Sequence, residues 1–313
     1  MKSTFKSLAL AASSLSLLFA GAGCAPMDGA RSASSDAAMW QKPAGAEGPA
    51  MWKVSDEDTT IYLFGTIHVL PEGLDWYTPT VANALTGSDI MVTEILGDAM
   101  SDTETAQLMQ TKGMLPQGTT LRSLLDEEQT AKYEAALAKI GIPAANFDGF
   151  KPWSVALTLS VLPLIQEGYK IDEGVEQKLE EYAGEDLARG NLETVGEQLA
   201  IFDNLPQEDQ IEFLMAAAEE TDNLKSYIDR MVEQWMAGNP EALAETMNES
   251  LEDDPALAEA LLYRRNRNWV EWIDTRMDQP GTVFIAVGAG HLAGDKSVQD
   301  YLAQRDIEVV RVQ

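Results

Sequence analysis

Cysteine is almost absent from this sequence: Cys24 is the only one in 313 residues. No internal disulfide can form, even in an oxidising compartment, and neither a cysteine nucleophile nor a thiolate metal cage is available. Basic residues are scarce too, with 22 Lys and Arg against 51 Asp and Glu, for a net charge of −29. Sequence-independent nucleic-acid binding and docking on anionic headgroups both need a basic footprint, so neither is expected. Histidine is scarcer still, at two residues. The motifs H-E-x-x-H and G-x-S-x-G are missing, which removes the usual zinc-peptidase helix and the nucleophile elbow. The apolar stretch from Leu8 to Ala20 is too short for a transmembrane helix.

That stretch reads instead as an export signal over residues 1–24. Lys2 and Lys6 supply its positive start, and the small residues Gly21-Ala22-Gly23 precede Cys24. Two cleavage readings follow: a lipoprotein signal with Cys24 as the lipidated N-terminal residue, or ordinary cleavage after Ala20-Gly21-Ala22. The lone cysteine and the flexible stretch behind it favour the first. The expected setting is the periplasm or a bacterial cell envelope, with membrane contact only through that lipid. Residues 25–50 are dominated by Ala, Gly, Ser, Pro and Asp without hydrophobic period, as in a linker.

The folded domain is expected over residues 51–313. Strands are predicted at Met51 to Val54, Thr60 to Phe64 and Asp89 to Ile95, with a short helix from Thr78 to Leu85 between the last two. That order gives a βαβ unit and a largely parallel sheet. From about Asp102 to Met277 apolar residues recur at helical spacing, as in Leu121 to Ile140, Trp153 to Gln166, Val175 to Tyr182 and Gln207 to Ala218. Sheet returns with Thr282 to Val287 and Glu308 to Val312, separated by a helix near Ser297 to Gln304. The expected class is therefore α/β: a central, largely parallel or mixed sheet from the two ends, with a large helical insertion between.

The two histidines close matched motifs, Gly65-Thr66-Ile67-His68 and Gly288-Ala289-Gly290-His291, each directly after an apolar strand. With glycine at about 7% of residues, two such placements have a chance of roughly one in two hundred. Ligands of open α/β sheets bind beyond the carboxyl ends of strands, where both histidines fall. Glu94 ends a third strand on the face shared with Ile90 and Val92, where a carboxylate is costly unless paired or metal-bound. The plain alternative is a strand-end glutamate reaching solvent. Two imidazoles and a carboxylate suit a divalent transition metal, zinc or manganese among others. Arg265 falls on the apolar face of the helix from Ala256 to Met277, so it needs either an internal carboxylate or a substrate anion as partner. Gly288 to Gly294 misses the dinucleotide-loop spacing, and Asp295 breaks a P-loop before Lys296-Ser297.

Taken with Lys151-Pro152-Trp153, Gly174-Val175-Glu176, Asn191-Leu192-Glu193-Thr194, Glu197-Gln198-Leu199 and Arg265-Asn266, these motifs resemble the bacterial TraB/GumN proteins. Those proteins are relatives of the Tiki membrane proteases of animals. The resemblance spans about Met51 to Val312. It implies a site of His68, His291 and Glu94, with Glu193 and Arg265 close by and Asn266 a weaker candidate at the substrate. It also implies a divalent metal (Mn, Co or Zn) and a metal-dependent hydrolase, a peptidase first, acting on a peptide or small molecule. In that reading His68, His291 and one of Glu94 and Glu193 hold the metal, the other carboxylate is general base, and Arg265 steadies an oxyanion or substrate carboxylate. Relatives usually carry Asp where this chain has Glu176, so no role is expected of Glu176. The wider fold resembles erythromycin esterases and a haem-binding lipoprotein, and hosts both hydrolysis and binding. The alternative is thus a non-catalytic envelope protein binding a metal, haem or peptide at the same site; a third reading makes the histidines purely structural.

Overall fold

A computed structural model describes residues 42–95, 108–109, 111–248 and 255–313. The export signal, Cys24 and most of the linker lie outside these residues. The described end of the linker, 42–50, forms no helix or strand, yet Ala50 is buried and the Pro49 carbonyl accepts a hydrogen bond from the Gln313 side chain.

The strands are β1 (Met51–Ser55), β2 (Thr59–Thr66), β3 (Leu70–Pro71), β4 (Ile90–Thr93), β5 (Tyr169–Lys170), β6 (Ala188–Asn191), β7 (Gly281–Gly288) and β8 (Val309–Arg311). Six of them form one mixed sheet in the order β6-β4-β7-β2-β1-β8. The neighbours β6, β4, β7 and β2 run parallel, while β1 is antiparallel to both β2 and β8. The short pair β3 and β5 stands apart.

Successive side chains of a strand point to opposite faces, so each central strand serves two cores. Met51, Phe64, Met91, Phe284 and Ala286 face the helical middle of the chain. Trp52, Val54, Ile61, Leu63, Val92, Val283, Ile285 and Val287 face the other side, where Trp269, Val270, Ile273, Val298 and Leu302 cover them. A sheet buried on both faces explains why β2 and β7 read as continuous apolar runs rather than as alternation. The helix Pro79–Thr86 that links β3 to β4 starts where expected. Thr78 caps it by accepting from the Val81 N–H, and proline occupies the first turn.

Two expected helices divide. The run from Leu121 becomes a 3-10 turn, Leu121–Leu124, followed by a helix Glu127–Lys139 capped by Asp126 and Gln129. The run from Trp153 becomes the helices Pro152–Leu159 and Leu162–Gln166, broken ahead of Pro163. The middle segment is also less purely helical than its pattern implies, because β6 comes from within it and joins the main sheet at its edge.

Candidate functional site

The sheet register brings the two Gly-x-x-His motifs side by side. Gly65 pairs with Val287 and Thr66 with Gly288 on adjacent parallel strands, so both histidines emerge at the same end of β2 and β7. Glycine at position 65 has a steric cause. A Cβ there would come within 3.1 Å of the Cα and Cβ of Ala289, inside the second motif. On the other side of β7, Thr93 pairs with Ala286, which sets Glu94 beside the second motif. The ladder continues past β4 and β6, with the Glu193 N–H donating to the Glu94 carbonyl at 2.8 Å. The strand ends therefore present Glu193, Glu94, His291 and His68 in sheet order.

Glu94 does not reach solvent; it is 5% exposed. Its Oε1 accepts the Gly288 N–H at 2.8 Å, and its Oε2 accepts from Arg265 Nη2 at 2.6 Å and Gln198 Nε2 at 3.0 Å. Burial, with Glu193 adding to it, pushes the Glu94 carboxyl above the usual range; Arg265, His68 and the Gly288 N–H oppose that without cancelling it.

Arg265 takes the first of its two expected partners, an internal carboxylate, and takes two of them. Nε donates to Glu193 Oε1 at 2.8 Å and Nη2 to Glu193 Oε2 at 2.8 Å, besides the bond to Glu94. Nη1 donates to the Leu261 carbonyl at 2.9 Å and lies 2.9 Å from His291 Nε2. These contacts account for the five N–H groups of a guanidinium, so in this arrangement none is left for a substrate anion. Burial lowers the Arg265 pKa, but the two carboxylates outweigh it and raise the value overall. The residue opens the helix Arg264–Met277, directly after the wider π-turn Glu259–Tyr263 that contains Leu261. Its guanidinium also lies 4.8 Å from the centre of the Trp269 ring, whose Nε1 donates to Glu193 Oε1 at 3.0 Å.

His291 is fully buried, with Nδ1 2.5 Å from Asn266 Oδ1 and the ring 4.2 Å from Trp269. The amide nitrogen of Asn266 donates to the Lys296 carbonyl at 2.9 Å, so the oxygen is the end turned to the imidazole. Nδ1 then carries the hydrogen, and Nε2 is the acceptor facing Arg265. Burial, then Arg265 and His68, hold the His291 pKa well below its usual value and the ring neutral. Asn266, expected at the substrate, thus has both ends of its amide engaged inside the protein.

His68 meets Glu176, with Nδ1 2.7 Å from Oε1. The glycine before Val175 allows that approach. A Cβ on Gly174 would stand 2.1 Å from the His68 carbonyl oxygen, and the Val175 N–H donates to the Ile67 carbonyl at 2.9 Å. Burial works against charge on Glu176, but His68 and the Thr66 hydroxyl outweigh it and hold the carboxyl below its usual range.

The six expected site residues, His68, Glu94, Glu193, Arg265, Asn266 and His291, are therefore gathered at one end of the sheet. Sequence reasoning missed Glu176, Thr66, Gln198 and Trp269. Gln198 lies within the helix Val195–Asp203, whose start is fixed by a capping box between Thr194 and Glu197, and it donates to both Glu94 and Glu193. Lys151 and Trp153, from another shared motif, instead bind Asp203 at the far end of that helix.

Among the described residues no three His, Cys, Asp or Glu side chains form a ready-made metal cage. The donor chemistry nonetheless fits a divalent ion. Each histidine is held through Nδ1 by an oxygen, the usual support for a ligating imidazole. His291 Nε2 and Glu94 Oε1 lie 3.7 Å apart, within the roughly 3–4 Å span of two donors on one ion with bonds of about 2.0–2.2 Å. The carboxylates of Glu94 and Glu193 share the Arg265 guanidinium, and that of Glu176 meets His68. Two buried acceptors at the site, Glu176 Oε2 and Gln198 Oε1, have no hydrogen-bond donor among the described residues. Arg265 is the competing cation at His291 Nε2.

Comparison with curated proteins and with solved structures finds no match. The family model described as TraB/PrgY/gumN matches residues 50–311, a span that contains all eight strands and both histidine motifs. The chain belongs to the TraB/PrgY/gumN family.

Proposed function

We propose that the chain is a metal-dependent hydrolase of the cell envelope, with peptides as the substrate class. The observation that carries this reading is the excess of carboxylate around two anchored imidazoles: the buried Glu94 and the partly buried Glu193 and Glu176. Besides His68, Arg265 is the one cation among the described residues that binds any of them. A divalent ion (Mn, Co or Zn) held by His68 and His291, with Glu94 beside it as the free carboxylate, would supply Lewis-acid polarisation of a carbonyl and acidification of water.

The protein's own groups account for the rest. Glu94, pushed up by burial, is a carboxyl able to hold and release a proton at the strand ends, the property of a general acid–base group. Arg265 and Gln198 fix its position by donating to Oε2, while Oε1 accepts the Gly288 N–H and lies 3.7 Å from His291 Nε2. Trp269 packs against the fully buried His291, which keeps water from that side of the site. Arg265 serves here as the internal counter-ion that holds the two glutamates together, in place of the anion-binding role that the family resemblance implies.

Hydrolysis of an unbiased peptide library tests the proposal. The expected result is cleavage that a chelator stops and added Mn, Co or Zn restores, reduced at least about 100-fold in Glu94→Gln. Cleavage indifferent to chelator, or equal in Glu94→Gln, overturns it. Stoichiometric metal uptake without cleavage favours the non-catalytic binder, a reading that the complete internal engagement of Arg265 supports.

A further inference from the structure

The first motif holds a device that the known pattern of residues leaves without a role. Glu176 enters from the first turn of the helix Val175–Ala183, and its Oε1 receives both His68 Nδ1 and the Thr66 hydroxyl. Thr66 and His68 belong to the same Gly-x-x-His motif, so one carboxylate oxygen ties its second and fourth positions together. In the second motif Ala289 stands where Thr66 stands in the first, and has no hydroxyl to give. There Asn266 Oδ1 does the same task for His291 Nδ1, and the Asn266 amide nitrogen donates to the Lys296 carbonyl. The two histidines are thus anchored through the same ring nitrogen by different acceptors on different helices.

We propose that Glu176 is the positioning residue for His68: its Thr66-pinned carboxylate fixes the imidazole in the Nδ1–H tautomer and leaves Nε2 as the ligand-facing nitrogen. A carboxylate partner of this kind both selects the tautomer and strengthens the opposite nitrogen as an electron-pair donor. The pairing depends on close backbone contact rather than on side-chain length alone. Gly174 lets the helix start against the end of β2, from where the longer glutamate side chain spans the distance to the ring. The unpartnered Oε2 is no part of this device, which uses Oε1 only. In the unliganded protein the His68 tautomer is set by the contact with Glu176 and Thr66, whatever the site binds.

With only two histidines in the chain, nitrogen-15 spectra of the imidazoles assign themselves from one histidine variant. The measurement is made on tag-free, metal-free protein near pH 9, above the titration range of free imidazole. Wild type is expected to show His68 with a protonated Nδ1 and an unprotonated Nε2. Glu176→Gln, which keeps an acceptor, is expected to retain that pattern, and Glu176→Met, which has similar length and no acceptor, to lose it while His291 stays unchanged. Nε2–H as the main His68 form in wild type overturns the proposal, and so does an unchanged His68 in Glu176→Met. If Glu176→Met disturbs both histidines, Glu176→Gln decides: a retained Nδ1–H supports the proposal and a lost one contradicts it. Metal titration of the same variants gives a second readout, with affinity expected to fall about 10–100-fold in Glu176→Met and far less in Glu176→Gln. Wild type that binds no metal while showing the expected tautomer sinks the proposed hydrolase and leaves this inference standing.

Discussion

At the scale of single residues, the site is a buried ion network in which one guanidinium answers two carboxylates. Removing such a partner leaves charge buried without compensation. Arg265→Met is therefore expected to lower unfolding free energy by about 3–5 kcal/mol, and adding Glu193→Gln to recover part of that loss. Denaturant unfolding of the single and double variants measures this; a loss below about 1 kcal/mol would show that the network is not closed as described. His291 gives a pH prediction. Its folded pKa lies below that of the unfolded chain, so the folded state refuses a proton that the unfolded state accepts. Its contribution is complete above about pH 6.5, where free imidazole titrates, and is lost as pH falls below that value. In NMR the His291 ring should keep its neutral signals through that range; a midpoint near the free value would contradict the burial and neighbours assigned to it.

At the scale of elements, the site was legible where each strand end carries its own marker. His68, His291 and Glu94 each follow an apolar run that could hardly be anything but a buried strand. β6 was not legible, because Ala188-Arg189-Gly190-Asn191 has no apolar signal and its residues are partly exposed at the sheet edge. Without β6, nothing in the sequence itself could place Glu193 beside Glu94; only the family resemblance did. Glu176 was passed over because its length was judged against a usual aspartate, while the contact that positions it is backbone to backbone. Gly174→Ala tests that contact directly. A Cβ 2.1 Å from the His68 carbonyl oxygen must force the two elements apart, at a cost of about 1–3 kcal/mol or more. The same variant should loosen the His68–Glu176 pair, seen as a change in the His68 signals. Wild-type stability together with unchanged signals would contradict the packing.

At the scale of the whole molecule, the central sheet is covered on both faces. The six candidate site residues lie together at one end of its parallel strands, where Arg265 is a buried cation. Among the described residues no helix is long and apolar enough to cross a membrane. The fold class followed from sequence because strand–helix–strand order and continuous apolar runs report a doubly covered sheet. The division of labour at the site did not, because hydrogen-bond direction depends on contacts far apart in the chain, such as Asn266 with His291 and Gln198 with Glu94. The central claim is that both Gly-x-x-His motifs serve one ligand. Titration of a divalent ion into chelator-treated protein tests it most directly. Wild type is expected to take up one ion per chain, with binding abolished in His68→Ala and in His291→Ala alike. Full binding retained in either variant would show that the two histidines do not share a site.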